Sequence, residues 1–582
     1  MSNITDIEDL IIIKNEFINH LSPSFNSNSF IKHVNKKFKI NCKKSDLVNI
    51  YNHLHINDPE LKNKIIKKVQ KSQSGIISIT VLTSGTPEYT DEYGNRIKKN
   101  FSCLHKCSFC PDEKPSADNN WTQQPKSYLF TEPAVLRANQ NQFDPIKQMN
   151  ARITSLLSMG HQVDKIELLV LGGTWSEYPK EYQDEFITSL YYAANVFYDN
   201  ESNKRPILSL DNEIHFNETA KIHIIGLTLE MRPDSINIDE IKRLRRFNCT
   251  RVQLGIQHTN NHILKLNNRG EIIENTIKSI ELLKNNCYKI DAHIMLNLYG
   301  SSPDIDRIML NQFLYDESLQ IDQVKIYPCA IVPFTKIKEL YDNGIYIPYH
   351  DSHLIPIIKE FKMNVKPYIR INRIIRDISG HYIKGGYRQE FTNLRQILKQ
   401  DMIDNNWSCR CIRCREIKSF NSSLPIHLDI TYYYASNGIE YFISFNTNDK
   451  LIGFLRLRIP SRNTPLLSVL QDSALIRELH VYSNLSIVGN DNANSYQHKG
   501  FGKSLIKEAE NIANYHGYYK IAIIAGTGAR DYYRRLGYNL IDTYMCKYIY
   551  PLPLYHIYIH LSIYLSIYLS IIIYNSYKYL YL

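Results

Sequence analysis

The chain has 582 residues, enough for several domains with large cores. Its 69 basic against 58 acidic residues give a net charge of +11, an excess that suits a polyanionic partner without demanding one. The 11 cysteines are mostly scattered, which excludes a disulfide-dense secreted scaffold, and the acidic start without an early apolar run excludes a secretory signal, so the expectation is an intracellular protein.

Residues 1–74 make a first, basic unit. Lysines crowd it from Lys36 to Lys71, either as a surface for nucleic acid or as an ordinary solvated helix face. From Gly75 onward, strand-like apolar runs (77–83, 165–174, 221–230, 251–257, 289–298, 323–328) alternate with helix-length segments. That alternation predicts an α/β unit over residues 75–365, with a parallel sheet covered on both faces or closed into a barrel. A barrel of this kind carries its chemistry at the C-terminal ends of its strands.

Three features fall at those ends. After the first strand and a polar stretch, 86–100, Cys103, Cys107 and Cys110 stand as C-x-x-x-C-x-x-C. Three thiolates at this spacing can hold three irons of a [4Fe-4S] cluster and leave the fourth open for S-adenosylmethionine (SAM). A zinc site is the competing reading, but it needs a fourth ligand, for which His105 inside the loop is cramped. Gly172 and Gly173 end the second strand and let a ligand approach the backbone, or else make a tight turn. Glu230, followed by Arg232, ends the third strand, where the two could hold a ribose hydroxyl or a carboxylate, or simply pair with each other.

Residues 366–424 read as a basic linker, with Arg370, Arg373 and Arg376 near its start and Cys409, Cys411 and Cys414 as C-x-C-x-x-C. The cysteines suit zinc with a fourth ligand from elsewhere; free thiols in a basic loop are the alternative. Over residues 425–549 the pattern turns antiparallel, then strand, Gln497-His498-Lys499-Gly500-Phe501-Gly502, helix, strand, and a helix bearing Tyr532 and Tyr533. A Q-x-x-G-x-G turn at a helix N-terminus offers backbone N–H groups to the pyrophosphate of coenzyme A, and the element order is that of a GNAT-type acetyltransferase. One of the two tyrosines is expected to pack in the core while the other faces the cofactor. Residues 550–582 are a Tyr/Ile/Leu/Ser tail in which Leu-Ser-Ile-Tyr repeats from Leu561, as a tetranucleotide repeat read in frame would give; its apolar stretch is also long enough to span a bilayer.

With KSQSGIISITV, GHQVDKIELLVLGGT, GLTLEMRPD, TRVQLGIQ, NNRG, KIYP, CRCIRCRE, IRELHVY, QHKGFGKSLIKEAE and GTGARDYYRRLGY, the chain resembles the Elongator catalytic-subunit family of tRNA-modifying radical SAM acyltransferases from about Lys71 to Ile549. The resemblance implies a partial (β/α) radical SAM barrel, a zinc-binding linker and a GNAT-type domain, which together convert the wobble uridine of the tRNA anticodon stem-loop to 5-carboxymethyluridine. It implies that Cys103, Cys107 and Cys110 ligate the cluster and that Gly172, Gly173, Glu230 and Arg232 cradle SAM. Glu478, Leu479, His480 and residues 497–502 would bind acetyl-CoA, Tyr532 and Tyr533 would position its thioester, and Lys325 would contact acetyl-CoA or the RNA. The N-terminal lysines and Arg370, Arg373 and Arg376 would hold the tRNA. Other Elongator subunits, or a second copy of the chain, would be partners in the cytoplasm or nucleus, with a membrane-anchored form only if the tail inserts. The family's C-P-G-G continuation reads here Cys110-Pro111-Asp112-Glu113, and the first two cysteines are closer together. Two rivals remain: a protein lysine acetyltransferase using Glu478 or His480 as base, and a tRNA-binding subunit without chemistry.

Overall fold

The computed structural model describes residues 7–549 except 23, 57, 67–74, 102, 388–390, 392, 418–423, 462–465 and 483–499. Four helices come first: Ile7–Asn19, Ser27–Phe38, Lys44–His53 and Pro59–Ile65. They bury a core of their own around Phe17, Phe25, Phe30, Val34, Leu47 and Tyr51. The lysine-rich start is therefore a folded helical unit, in which apolar residues three and four apart turn inward while Lys36, Lys37 and Lys43 remain exposed. Lys67, Lys68 and Lys71 lie outside the described residues.

The barrel begins with β1 (Ile77–Leu82). The polar stretch after it folds back as a hairpin of β2 (Glu88–Thr90) and β3 (Arg96–Lys98), which Arg96 ties to Glu185 at 2.7 Å. Then follow β4 (Lys165–Leu171), β5 (His223–Met231), β6 (Arg251–Gln257), β7 (Lys289–Leu296), β8 (Gln323–Pro328) and β9 (Arg370–Arg373). They pair in the order β1-β4-β5-β6-β7-β8-β9, every pair parallel, with helices as crossovers. β1 and β9 stand at the two edges, so the barrel is partial, as expected. The boundary at residue 365 needs correction. Arg370–Arg373 reads as linker because it is short and charged, yet it is the seventh strand, with Ile371 buried beside Val324 of β8.

The second sheet contains β10 (His427–Ala435), β11 (Gly438–Thr447), β12 (Lys450–Ile459), β13 (Ser473–Val481), β14 (Lys520–Ile523), β15 (Asn539–Ile541) and β16 (Tyr544–Tyr548). Its order is β10-β11-β12-β13-β14-β16-β15. β13 and β14 are parallel but pair only over Ser473–Ile476 and Lys520–Ile523. β14 ends there while β13 runs on to Val481, and among the described residues that last stretch of β13 has no strand partner on its β14 side.

The two sheets are locked together by charge. Asp322, just before β8, lies 2.6 Å from Arg477 of β13, 3.6 Å from Arg456 of β12 and 3.7 Å from Lys284; Glu440 of β11 takes Arg458 at 3.0 Å, Arg477 at 3.3 Å and Lys284 at 3.4 Å. All of these side chains are fully buried. Gly526 lets the second sheet approach closely, since a Cβ there would lie 2.0 Å from the Ile225 carbonyl oxygen of β5. Among the described residues no helix is long and apolar enough to cross a membrane. The repeat tail, 550–582, lies outside them.

Candidate active site

The cysteine loop follows β1 and sits over the C-terminal ends of the barrel strands. Lys126 donates to the carbonyls of Cys103, at 3.2 Å, and His105; Glu177 accepts from the Leu104 N–H at 3.0 Å; Asn268 donates to the Lys106 carbonyl at 2.8 Å. Short as it is, the loop is thus gripped from three sides. Cys107 is buried, with Arg269 Nη1 at 3.6 Å and Arg232 Nη1 at 4.0 Å from its sulfur. A hydrogen bond from Cys110, then the two guanidiniums, outweigh burial and bring the Cys107 thiol down to about 5. The donor set therefore fits an anionic iron–sulfur cluster: three thiols on one loop, one of them already stabilised as thiolate by two cations. Arg232, expected beside SAM, lies against Cys107 and is paired to Asp234 at 2.6 Å.

Gly172 and Gly173 end β4 at φ +130° and +111°, values that side chains disfavour. A Cβ on Gly172 would lie 2.0 Å from Thr83 Oγ1, while one on Gly173 meets only the Lys126 carbonyl at 3.7 Å. Gly172→Ala is therefore expected to destabilise the fold by more than the roughly 1–3 kcal/mol of backbone strain alone, and Gly173→Ala by about that strain only. Thermal unfolding of the two variants side by side checks the difference.

Inside the barrel the alternate residues of successive strands are polar and meet one another. Tyr128 donates to Glu230 Oε2 at 2.8 Å; His293 Nδ1 is 3.7 Å from Glu230 Oε1; Lys325 Nζ is 3.6 Å from Asp291 Oδ2. Burial raises the Glu230 carboxyl, and it lowers both the Lys325 ammonium and, with Lys325 and the Arg376 and Arg373 guanidiniums adding to it, the His293 imidazole. Glu230 and Lys325 are thus pushed towards neutrality from opposite sides, which suits acid–base chemistry, while His293 is pushed away from it and favours its uncharged form. Of the arginines expected to hold RNA, Arg370 is paired to Glu416 and Arg376 to Glu132, at 2.7 Å, with its guanidinium over the Tyr128 ring. Arg373 is paired to Asp377 at 3.1 Å but is half exposed.

Deeper in, Arg251 pairs with Glu167 at 2.8 Å, and Lys289 reaches Glu478 of β13 at 3.7 Å. The barrel interior and the unpaired end of β13 thus adjoin. Glu478 also takes Arg456 at 2.9 Å, and although burial raises its carboxyl, Lys289 and Arg456 hold it at about 2. A carboxylate so committed is a poor general base. His480 is partly buried, with Nε2 enclosed and, among the described residues, without a hydrogen-bond partner, and desolvation lowers it; Leu479 packs against the core of the second sheet. Gly500 caps the helix Phe501–Tyr515 at φ +76°, and the Tyr532 hydroxyl lies against Gly502. Gln497, His498 and Lys499 lie outside the described residues. Of the two tyrosines, Tyr533 is buried in the core of the second sheet and the less buried Tyr532 stands by the helix N-terminus.

Cys409, Cys411 and Cys414 converge with their sulfurs within 4.8 Å of one another, and hydrogen bonds from the other two hold Cys411 well below an ordinary thiol. The set suits a single ion of zinc type. Among the described residues no fourth ligand joins it; Lys362 Nζ is 4.0 Å from Cys414.

Residues 321–404 match the Radical_SAM C-terminal domain and residues 408–538 the Acetyltransferase (GNAT) family. The chain is 37% identical over 494 residues to the tRNA uridine(34) acetyltransferase of Methanocaldococcus infernus, covering 83% of this chain and 87% of that protein. It is 33% identical over 453 residues to Elongator complex protein 3 of Schizosaccharomyces pombe, covering 76% and 81%. The archaeal M. infernus Elp3 structure with an N-terminal deletion superimposes with a TM-score of 0.67 at 32% identity, covering 82% of this chain and 100% of that one. The chain belongs to the Elongator complex protein 3 family.

The radical SAM and GNAT modules of this Elongator complex protein 3 family member imply a [4Fe-4S] cluster, SAM and acetyl-CoA. Sequence reasoning missed Tyr128, Asp291, His293 and Arg269. For the strand residues a signal existed: K-I-D-A-H-I and R-V-Q-L-G set polar residues at every second position of otherwise apolar strands, the period of a barrel interior. Tyr128 and Arg269 come from loops and left no such trace.

Proposed function

We propose that this chain modifies uridine 34 of tRNA, joining the acetyl group of acetyl-CoA through its methyl carbon to carbon 5 of the base to give 5-carboxymethyluridine. The observation that carries this reading is the adjacency of the two modules: a cluster loop over a barrel lined by Glu230, His293 and Lys325, and a GNAT-type sheet joined to that interior through Lys289 and Glu478. When bound, the cluster and SAM supply a 5′-deoxyadenosyl radical. The protein's own part is placement. Glu230, fixed by Tyr128, offers an acceptor at the barrel mouth, and Lys325, held by Asp291, offers a cation beside it. Buried walls exclude water from both.

In this reading the tRNA anticodon stem-loop meets the exposed lysines of the N-terminal helices and Arg373, and the uridine leaves its stack to reach the barrel. Binding is expected to weaken steeply with salt, and Lys36→Ala or Lys43→Ala to reduce the slope of log K against log salt by roughly 0.7–0.9 each; filter binding over a salt series checks it. Zinc at Cys409, Cys411 and Cys414 would serve structure. The reading places the protein in the cytoplasm and nucleus, with other Elongator subunits or a second copy as partners.

The test is anaerobic reconstitution with iron and sulfide, followed by assay of 5′-deoxyadenosine, tRNA-dependent acetyl-CoA hydrolysis and the nucleoside content of the tRNA. Formation of 5-carboxymethyluridine is the expected result. Acetyl transfer to protein lysines without 5′-deoxyadenosine would sink the reading.

A further inference from the structure

We propose that Glu16, His20 and His33 form a divalent transition-metal site that ties the first helix to the second. None of the three belongs to either catalytic module. Glu16 lies near the end of the helix Ile7–Asn19, His20 follows it by one turn, and His33 comes from the adjoining helix Ser27–Phe38. Their ligand atoms all lie within 4.8 Å of one another. Glu16 Oε2 is 3.5 Å from His20 Nδ1 and 3.9 Å from His33 Nε2. Donors bonded tetrahedrally at roughly 2.0–2.1 Å stand roughly 3.3 Å apart, so the two carboxylate–imidazole distances need to shorten by roughly 0.2 and 0.6 Å and the imidazole pair by at most about 1.5 Å, within reach of half-exposed side chains.

The lone pairs are placed for it. Glu16 Oε1 accepts from Lys37 Nζ at 2.9 Å, whereas Oε2, on the side of the histidines, is buried without a hydrogen-bond partner. Both imidazoles are about half exposed, at 45% and 49%, which leaves a fourth position for water. Two imidazoles and one carboxylate select zinc or a similar borderline cation over magnesium or calcium, which prefer all-oxygen shells. Two groups oppose binding. His20 Nδ1 also hydrogen-bonds the Glu16 carbonyl at 2.8 Å, a contact given up when that nitrogen takes a metal. The Lys37 ammonium repels a dication. Lys37 therefore gives the proposal a sign: removing it tightens binding, while removing a histidine abolishes it.

The experiment is a cobalt(II) titration of the full chain after its cysteine sites have been filled. The wild type is expected to take up one further equivalent, with d–d absorption and no thiolate-to-cobalt band. His33→Asn is expected to take up none of it, and Lys37→Met to bind several-fold more tightly. His33 is half exposed, so the substitution leaves the helical core intact, and an unchanged far-ultraviolet circular dichroism spectrum verifies this. Equal uptake by wild type and His33→Asn, millimolar affinity typical of scattered surface histidines, or Lys37→Met binding no tighter than the wild type overturns the proposal.

Discussion

Cys107→Ala is expected to abolish cluster assembly and 5′-deoxyadenosine formation while leaving tRNA binding within about twofold, since the phosphate contacts that dominate RNA affinity lie elsewhere. Of the three loop thiols, Cys107 is the one that Arg269 and Arg232 both face, and its sulfur already sits at about 5. Removing a first ligand costs more than removing its support. Arg269→Met, which keeps the ligand and deletes the nearer guanidinium, is expected to lower cluster occupancy by roughly 10–100-fold, the usual cost of an outer partner. Iron and sulfide analysis with 5′-deoxyadenosine chromatography separates the two. A Cys107→Ala protein that still cleaves SAM would show that the shortened loop uses another ligand. Cys42→Ala, in the N-terminal helical core, is the matched control and should cleave SAM like the wild type.

Asp322→Asn is expected to destabilise the protein by about 3–5 kcal/mol, the cost of leaving a buried charge without its partner. Asparagine keeps the shape of the side chain but deprives Arg477, Arg456 and Lys284 of their shared anion at the junction of the two sheets. By contrast Asp342→Ala, which breaks an exposed i,i+4 pair with Lys338, should change stability by less than about 1 kcal/mol. Urea unfolding of the three proteins measures both. The pH dependence has a definite sign. Burial alone would raise the Asp322 carboxyl, but Arg477, Lys284 and Arg456 overcome it and hold the group far below its ordinary range. A depressed carboxyl contributes stability that is present above its unfolded value of about 3.9 and is lost as pH falls through the lower folded value. The gap between wild type and Asp322→Asn should thus be flat near neutrality and close only in strong acid. A gap that closes near neutrality would show that the carboxylate is not held by these cations.

The sequence by itself determined the elements that local chemistry dictates. Mostly apolar strands alternating with helices specified a parallel sheet, because such strands are covered on both faces, and left open whether it closes into a barrel. The C-x-x-x-C-x-x-C spacing specified three thiols on one loop, and the glycines of Q-x-x-G-x-G marked the start of a helix, which Gly500 caps. The separation of Tyr532 from Tyr533 also followed from their adjacency, since successive residues of a helix point about 100° apart. What only the tertiary structure decided was which distant residues meet. Arg370–Arg373 is too short and charged to announce a strand, and becomes one because β8 offers it an open edge. Arg232 and Arg269, far apart in the chain, meet at Cys107 because the Asn267–Gly270 loop brings Arg269 and its carbonyl up to the Arg232 guanidinium. The joining of Lys289 to Glu478, and of Asp322 to Arg477, spans more than a hundred residues in each case. No local pattern encodes such pairs, because an ion pair is selected by the cost of burying either charge alone, and that cost exists only once the two sheets have closed on each other.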